Sequence, residues 1–155
     1  MSVKVAITLN SVWNLINFRS GLLNALINSK YEVVVIAPPD ESLVQLKKFS
    51  CKYVSILMDK KGTNIWNDFI LFIKYVFIFQ REKPDICLTF TIKANIYSSL
   101  AAHLLKIPTV NNVTGLGTVF IKYNWITRFV SLIYKIVFSH SKCVFFQNKE
   151  DLELF

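Results

Sequence analysis

An α/β fold, with a mostly parallel six-stranded sheet and helices on both faces, is predicted for this chain by three observations. Short apolar runs alternate with longer helical patterns, strand then helix, along the whole length. Several of those runs are apolar throughout rather than alternating, as strands buried on both faces require. With 155 residues, 53% hydrophobic and 18% charged, the chain has the size and apolar content of a single domain spanning 1–155.

The first strand is expected over Val3 to Leu9. A polar and aromatic loop follows, then a helix on the spacing Phe18, Leu22, Leu23, Leu26, Ile27. Tyr31 to Ala37 is β-branched and stops at Pro38-Pro39. Leu43, Leu46 and Phe49 suggest a short helix, Lys52 to Met58 a strand, and Asp59 to Asn64 a charged loop. Ile65 to Glu82 reads as a long, very apolar helix ended by Pro84. The remaining strands are expected at Asp85–Phe90, Thr109–Thr114 and Lys142–Asn148, with helices at about 93–105 and 124–140 between them. Six such alternations make a Rossmann-like domain.

If its strands take the usual order 3-2-1-4-5-6, strands one and four meet at the topological switch point, where ligands bind outside the carboxyl ends. Three segments would line that edge. The one after strand one carries Trp13, Asn14, Asn17, Phe18 and Arg19, and the one after strand four carries Thr89, Thr91, Lys93 and Asn95. After strand five comes Thr114-Gly115-Leu116-Gly117, with two of the four glycines of the chain. Arg19 and Lys93 fall near expected helix starts, where a cation opposes the macrodipole at a cost of roughly 0.3–1 kcal/mol. A bound anion would reverse that conflict. Gly115 and Gly117 permit positive φ or a close backbone approach to a ligand.

Other chemistries are disfavoured. The glycine pattern of dinucleotide sites is absent, since the first helix has only Gly21, and no P-loop, nucleophile elbow or paired-carboxylate motif is present. Cys51, Cys87 and Cys143 lack metal-ligand spacing and read as buried free thiols in a reducing compartment. His103 and His140 share no ligand spacing, so no metal site is expected, and both read as structural. The first nine residues do not resemble a signal peptide, and the longest apolar run, Phe69 to Phe79, is broken by Lys74 and too short to span a membrane. The formal charge of +8 points to an acidic partner. Nucleic acid fits poorly, because the aromatics sit at helical core spacing. Anionic lipid fits better. Ile65–Phe79 carries Trp66, Phe69, Phe72, Tyr75, Phe77 and Phe79, and Trp125–Phe138 sets Arg128 and Lys135 among aromatics.

Several of these stretches together resemble a known family. They are Asn17-Phe18-Arg19 with Leu22, Ala37-Pro38 with Asp40-Glu41, Thr89 to Ala102, Val113 to Gly117, and Phe145 to Asn148 with Asp151. In order and over essentially the whole chain, they resemble the N-terminal domain of bacterial family 4 glycosyltransferases, in the branch serving capsule, O-antigen and undecaprenyl-diphosphate-linked glycans. The resemblance implies the N-terminal half of a GT-B fold, with a C-terminal nucleotide-sugar-binding domain not included in 1–155. It implies a retaining enzyme moving a hexose or N-acetylhexosamine from a nucleotide diphosphate sugar, UDP-sugar foremost, to a lipid-diphosphate-linked saccharide. The location implied is cytoplasmic, peripheral at the inner face of the membrane. Asn17, Arg19, Lys93, Thr114, Gly115, Gly117 and Asn148 are the substrate-binding candidates. No catalytic residue is named, because the wider family's His-Gly pair after strand five is replaced by Thr114-Gly115-Leu116-Gly117. The fragment alone is expected to be inactive. The alternative is a non-catalytic membrane-docking subunit of a split glycosyltransferase.

Overall fold

The computed structural model describes residues 2–59, 64–114 and 125–153. Six strands form one sheet in the order β3-β2-β1-β4-β5-β6, every neighbouring pair parallel. They are β1 (Lys4–Thr8), β2 (Glu32–Ala37), β3 (Lys52–Ser55), β4 (Ile86–Phe90), β5 (Thr109–Val113) and β6 (Cys143–Phe146). β1 and β4 are neighbours, so the switch point lies where the strand pattern placed it.

Helices cover both faces. On one, α1 (Val12–Asn28) and the single turn α2 (Leu43–Leu46) bring Val12, Leu15, Leu23 and Leu46 onto Val5, Ile7, Val33 and Val35. On the other, α3 (Ile65–Glu82) and α4 (Ser99–Leu104) bring Leu71, Tyr75, Phe79, Ala101 and Ala102 onto Ala6, Val34, Ile36 and Cys87. A π-helical turn, Ala94–Ser98, leads into α4, and α5 (Trp125–Ser139) packs beside that turn. α3 has the bounds expected of it. Asn64 caps its start, accepting from the backbone N–H groups of Trp66 and Asn67. Lys83, left-handed before Pro84, ends it.

Two expectations need correction. α1 begins at Val12, so the supposed loop after β1 is only Leu9 to Ser11. Ser11 is the N-cap, its hydroxyl accepting from Asn14 N–H at 3.1 Å, and Val12 and Leu15 are fully buried. The polar and aromatic residues that looked like a loop are the outward face of two helical turns. The cysteines are free, but only Cys87 is buried, where burial pushes its thiol up to about 12. Cys51 is half-buried, and Cys143 is exposed because it lies on the edge strand β6. A short helix α6 (Lys149–Glu153), not anticipated from the pattern, follows β6.

Between β4, β5 and the π-helical turn the core is polar. Register aligns Thr8, Thr89 and Asn111 in one row across three strands, each with no solvent exposure. Asn95 from the π turn accepts from Thr89 and donates to the Asn112 carbonyl. Asn111 donates to Thr89 and Ser99 and accepts from Ser141, and Thr8 bonds Ser98. Buried polar groups persist only when bonded in this way. The row ties the segment after β4 to the sheet just below the switch point.

Candidate functional site

The carboxyl ends of β1 and β4 carry one cation without a carboxylate partner among the described residues. Arg19 lies in the second turn of α1, not at its start as expected. Helical side chains tilt toward the N-terminus, and this one reaches back up the helix. Its guanidinium donates to Asn14 Oδ1 and stacks over the Phe90 ring, 4.4 Å from the centroid. Phe90 is the last residue of β4, so the charge ends at the switch point. Burial pulls the Arg19 pKa below its ordinary value, yet arginine stays charged at physiological pH. A half-buried, stacked guanidinium with most of its donors unused among the described residues can take an oxyanion, bidentately for preference.

The anion-at-a-helix-start expectation fails at both helices, for the same reason: a carboxylate is already there. At α1 the Asp40 carboxylate accepts from Trp13 N–H at 2.9 Å. At the segment after β4, Lys93 Nζ lies 2.6 Å from Asp68 Oδ1, both side chains largely buried. Tyr97 donates its hydroxyl to the other Asp68 oxygen at 2.9 Å. Burial, and then this bond to Asp68, push the Tyr97 hydroxyl pKa well up. Lys93 is therefore a tie between the first turn of α3 and the segment after β4, not a free cation.

The other expected residues scatter. Asn17 is exposed and donates to the Trp13 carbonyl of its own helix. Asn148 caps α6, accepting from Asp151 N–H at 2.7 Å and donating to its carboxylate at 3.0 Å. Thr114 is half-buried at the end of β5. Gly115 and Gly117 lie outside the described residues. Thr89 and Asn95 belong to the buried row. Asp40, Asp68, Phe90 and Asn112 escaped the sequence reading of the site. Only Asp40 and Asp68 had a usable local signal, a carboxylate near a helix start.

Beside the switch point, a groove of about 480 Å³ runs between the ends of β2 and β3 and the first turns of α3. Pro38, Leu57, Met58 and Ile70 line it with Asn67 and Asp68. Next to it α3 leaves Ile65, Trp66, Phe69 and Ile70 exposed, Trp66 by 77%. Leu132 and Ile136 of α5 are exposed as well, with Lys135 between them in sequence. No helix of the described residues is long and apolar enough to cross a membrane.

Residues 5–148 match the family described as "Glycosyl transferase 4-like". The chain belongs to that family. A curated family relative from Campylobacter jejuni, N,N'-diacetylbacillosaminyl-diphospho-undecaprenol alpha-1,3-N-acetylgalactosaminyltransferase, is 27% identical over 142 residues, 88% of this chain and 38% of its own length. Among solved structures, a putative UDP-N-acetylglucosamine 2-epimerase from Listeria monocytogenes superposes with a TM-score of 0.72 at 16% identity, over 99% of this chain and 41% of that one. MurG from Acinetobacter baumannii superposes with a TM-score of 0.63 at 16% identity, over 91% and 40%. At these identities the solved structures speak for the Rossmann-like architecture alone. The family chain described here spans about two-fifths of the length of these relatives.

Proposed function

We propose that this chain is the acceptor-binding domain of a retaining glycosyltransferase. The whole protein would move a hexose or N-acetylhexosamine from a nucleotide diphosphate sugar to a saccharide linked to a lipid diphosphate. The observation that carries this is Arg19: a half-buried guanidinium at the switch point, fixed by Asn14 and Phe90 and neutralised by no carboxylate among the described residues. Family membership over residues 5–148 supports glycosyl transfer, and the Campylobacter relative's named substrate supports a lipid-diphosphate acceptor.

In this reading Arg19 grips the acceptor diphosphate and so orients the saccharide beyond it. Charge-assisted bonds of that kind contribute about 1.5–3 kcal/mol. In the same reading Gly115 and Gly117 belong to the sugar cleft. A second domain binds most of the donor, and the stabilisation of the departing nucleotide diphosphate comes chiefly from there. UDP is the favoured nucleotide, since two relatives of this fold are described with UDP or UDP-GlcNAc bound. The exposed face of α3, with α5 beside the π turn, rests on anionic lipid at the inner face of the membrane and brings the edge to its acceptor. Capsule or O-antigen assembly would be the setting.

The test is transfer by the full-length protein. Label from a panel of nucleotide diphosphate hexoses and N-acetylhexosamines is offered with a polyprenyl-diphosphate-linked saccharide in vesicles. A product that keeps the donor's anomeric configuration supports the proposal. Absence of transfer from every donor, with the protein folded, sinks it.

A further inference from the structure

Among the described residues, four other than glycine have positive φ, and one differs in kind from the rest. Lys30, Lys83 and Lys106, at φ of 65°, 49° and 58°, each sit just past the end of a helix. There the left-handed conformation closes the last turn and a cation suits the dipole. Thr91, at φ 70°, follows β4 and precedes the π-helical segment. It is β-branched, the residue class least suited to that conformation. Threonine before a helix ordinarily offers its hydroxyl as the cap. Here the Thr91 carbonyl accepts the first helical bond, from Asn95 N–H at 2.8 Å, while Oγ1 is buried and makes no hydrogen bond. The side chain of Thr91 gains no hydrogen bond from its position.

A second buried oxygen without a partner belongs to Asn112, across the sheet from the residue before Thr91. Asn112 Oδ1 makes no hydrogen bond either. Register pairs Asn112 with Phe90, the residue that precedes Thr91 and carries the Arg19 guanidinium. Residues aligned across parallel strands share a face, so Asn112, Phe90 and Arg19 stand together at the carboxyl end of the sheet. Their chemistry divides. Arg19 offers only donors and suits an anion. Asn112 Oδ1 only accepts, and the Thr91 hydroxyl accepts or donates. A phosphate, which brings only acceptors at neutral pH, cannot satisfy Asn112 Oδ1. A sugar hydroxyl or an acetamido N–H can.

We infer that Thr91 and Asn112 are specificity-determining residues for the saccharide of the acceptor, their oxygens taking hydroxyl or amide N–H groups of the sugar next to the diphosphate held by Arg19. This rests on the acceptor-binding reading above and adds the group recognised and the residues that recognise it. Strain and unpaired oxygens held at one edge are the kind of local conflict that functional sites retain.

The test measures equilibrium binding by the full-length protein of two probes, a polyprenyl-diphosphate-linked N-acetylhexosamine and the bare polyprenyl diphosphate. Thr91→Gly removes the strain and the hydroxyl together; Thr91→Ser keeps the hydroxyl; Asn112→Leu removes the acceptor at similar volume. Expected for Thr91→Gly are a melting temperature higher by about 2–4 °C and roughly tenfold weaker binding of the saccharide probe, with the bare diphosphate unchanged. Asn112→Leu should weaken the saccharide probe alike, and Thr91→Ser should stay near the unaltered protein. Saccharide binding indifferent to both Thr91→Gly and Asn112→Leu overturns the inference, as does an equal loss for the two probes. If the unaltered protein binds neither probe, the acceptor reading itself falls and takes this assignment with it.

Discussion

Arg19 shows how a residue expected in one turn of a helix can lie in another and still reach the same edge of the sheet. Its helix begins earlier than the pattern suggested, because Trp13, Asn14 and Asn17 hid a helical face behind loop-like composition. The tilt of helical side chains then returns the guanidinium to the edge. Lys93 shows the opposite. It sits close to where it was expected, yet Asp68, twenty-five residues earlier in sequence, holds its charge. No local pattern announces a partner at that distance. His103 and His140 are a further case, their rings 5.7 Å apart where the sequence showed no shared spacing. His103 Nε2–H donates to Thr109 Oγ1, whose hydroxyl turns to Ser141. Burial, and then the neighbouring His140, lower the His103 pKa. A lowered folded-state pKa means the unfolded chain binds more protons, so this contribution is present above about pH 6.5 and lost as pH falls below it. His103→Gln should flatten the melting temperature between about pH 7 and pH 5. An unchanged slope would place the titration elsewhere. Glu82 works in the same sense at lower pH. It is 2% exposed, with Lys52 and Arg81 at 2.6 and 2.8 Å. Burial acts to raise its pKa, but the bonds from those two cations outweigh it and hold the carboxyl below the usual range. Its contribution is therefore present above about pH 4.3 and lost in acid. Glu82→Gln should cost about 1–3 kcal/mol at neutral pH in a denaturant titration, and less in acid.

At the scale of elements, the helix α3 was the most legible part of the chain. A long apolar run between Asn64 and Pro84, with a capping residue at one end and a stop at the other, leaves little room for another reading. Its composition also exceeded what one sheet face can bury, and Ile65, Trp66, Phe69 and Phe77 do remain more than half exposed. If that face meets lipid, burying large apolar side chains contributes about 1.5–3 kcal/mol each. Replacing Trp66 and Phe69 by serine should weaken sedimentation with anionic vesicles at least tenfold. High salt should weaken it further by screening the basic residues. Undiminished vesicle binding by the double variant would move the lipid contact off α3. The segment after β4 was less legible. Asn95, and Thr89 near the end of β4, looked like ligand contacts, and the structure spends them on a buried row with Asn111. Composition cannot say which of several hydroxyls and amides point inward when their partners lie on two other strands.

At the scale of the molecule, strand count, direction and order all follow from alternation of short apolar runs with helices, because parallel strands need crossovers and crossovers leave few arrangements. The site was legible only as an edge. Which residues on that edge stay free of partners depends on contacts between distant segments: Lys93 is taken by Asp68, and Arg19 meets no carboxylate among the described residues. The central claim is that this edge grips a lipid diphosphate through Arg19. Its most direct measurement is equilibrium binding of a polyprenyl-diphosphate-linked N-acetylhexosamine by the full-length protein, unaltered and as Arg19→Ala and Arg19→Lys. The unaltered protein should bind, and Arg19→Ala should bind roughly ten- to a hundredfold more weakly. Arg19→Lys should recover little, since an ammonium neither forks nor stacks on Phe90 as a guanidinium does. Equal affinity in all three proteins would contradict it.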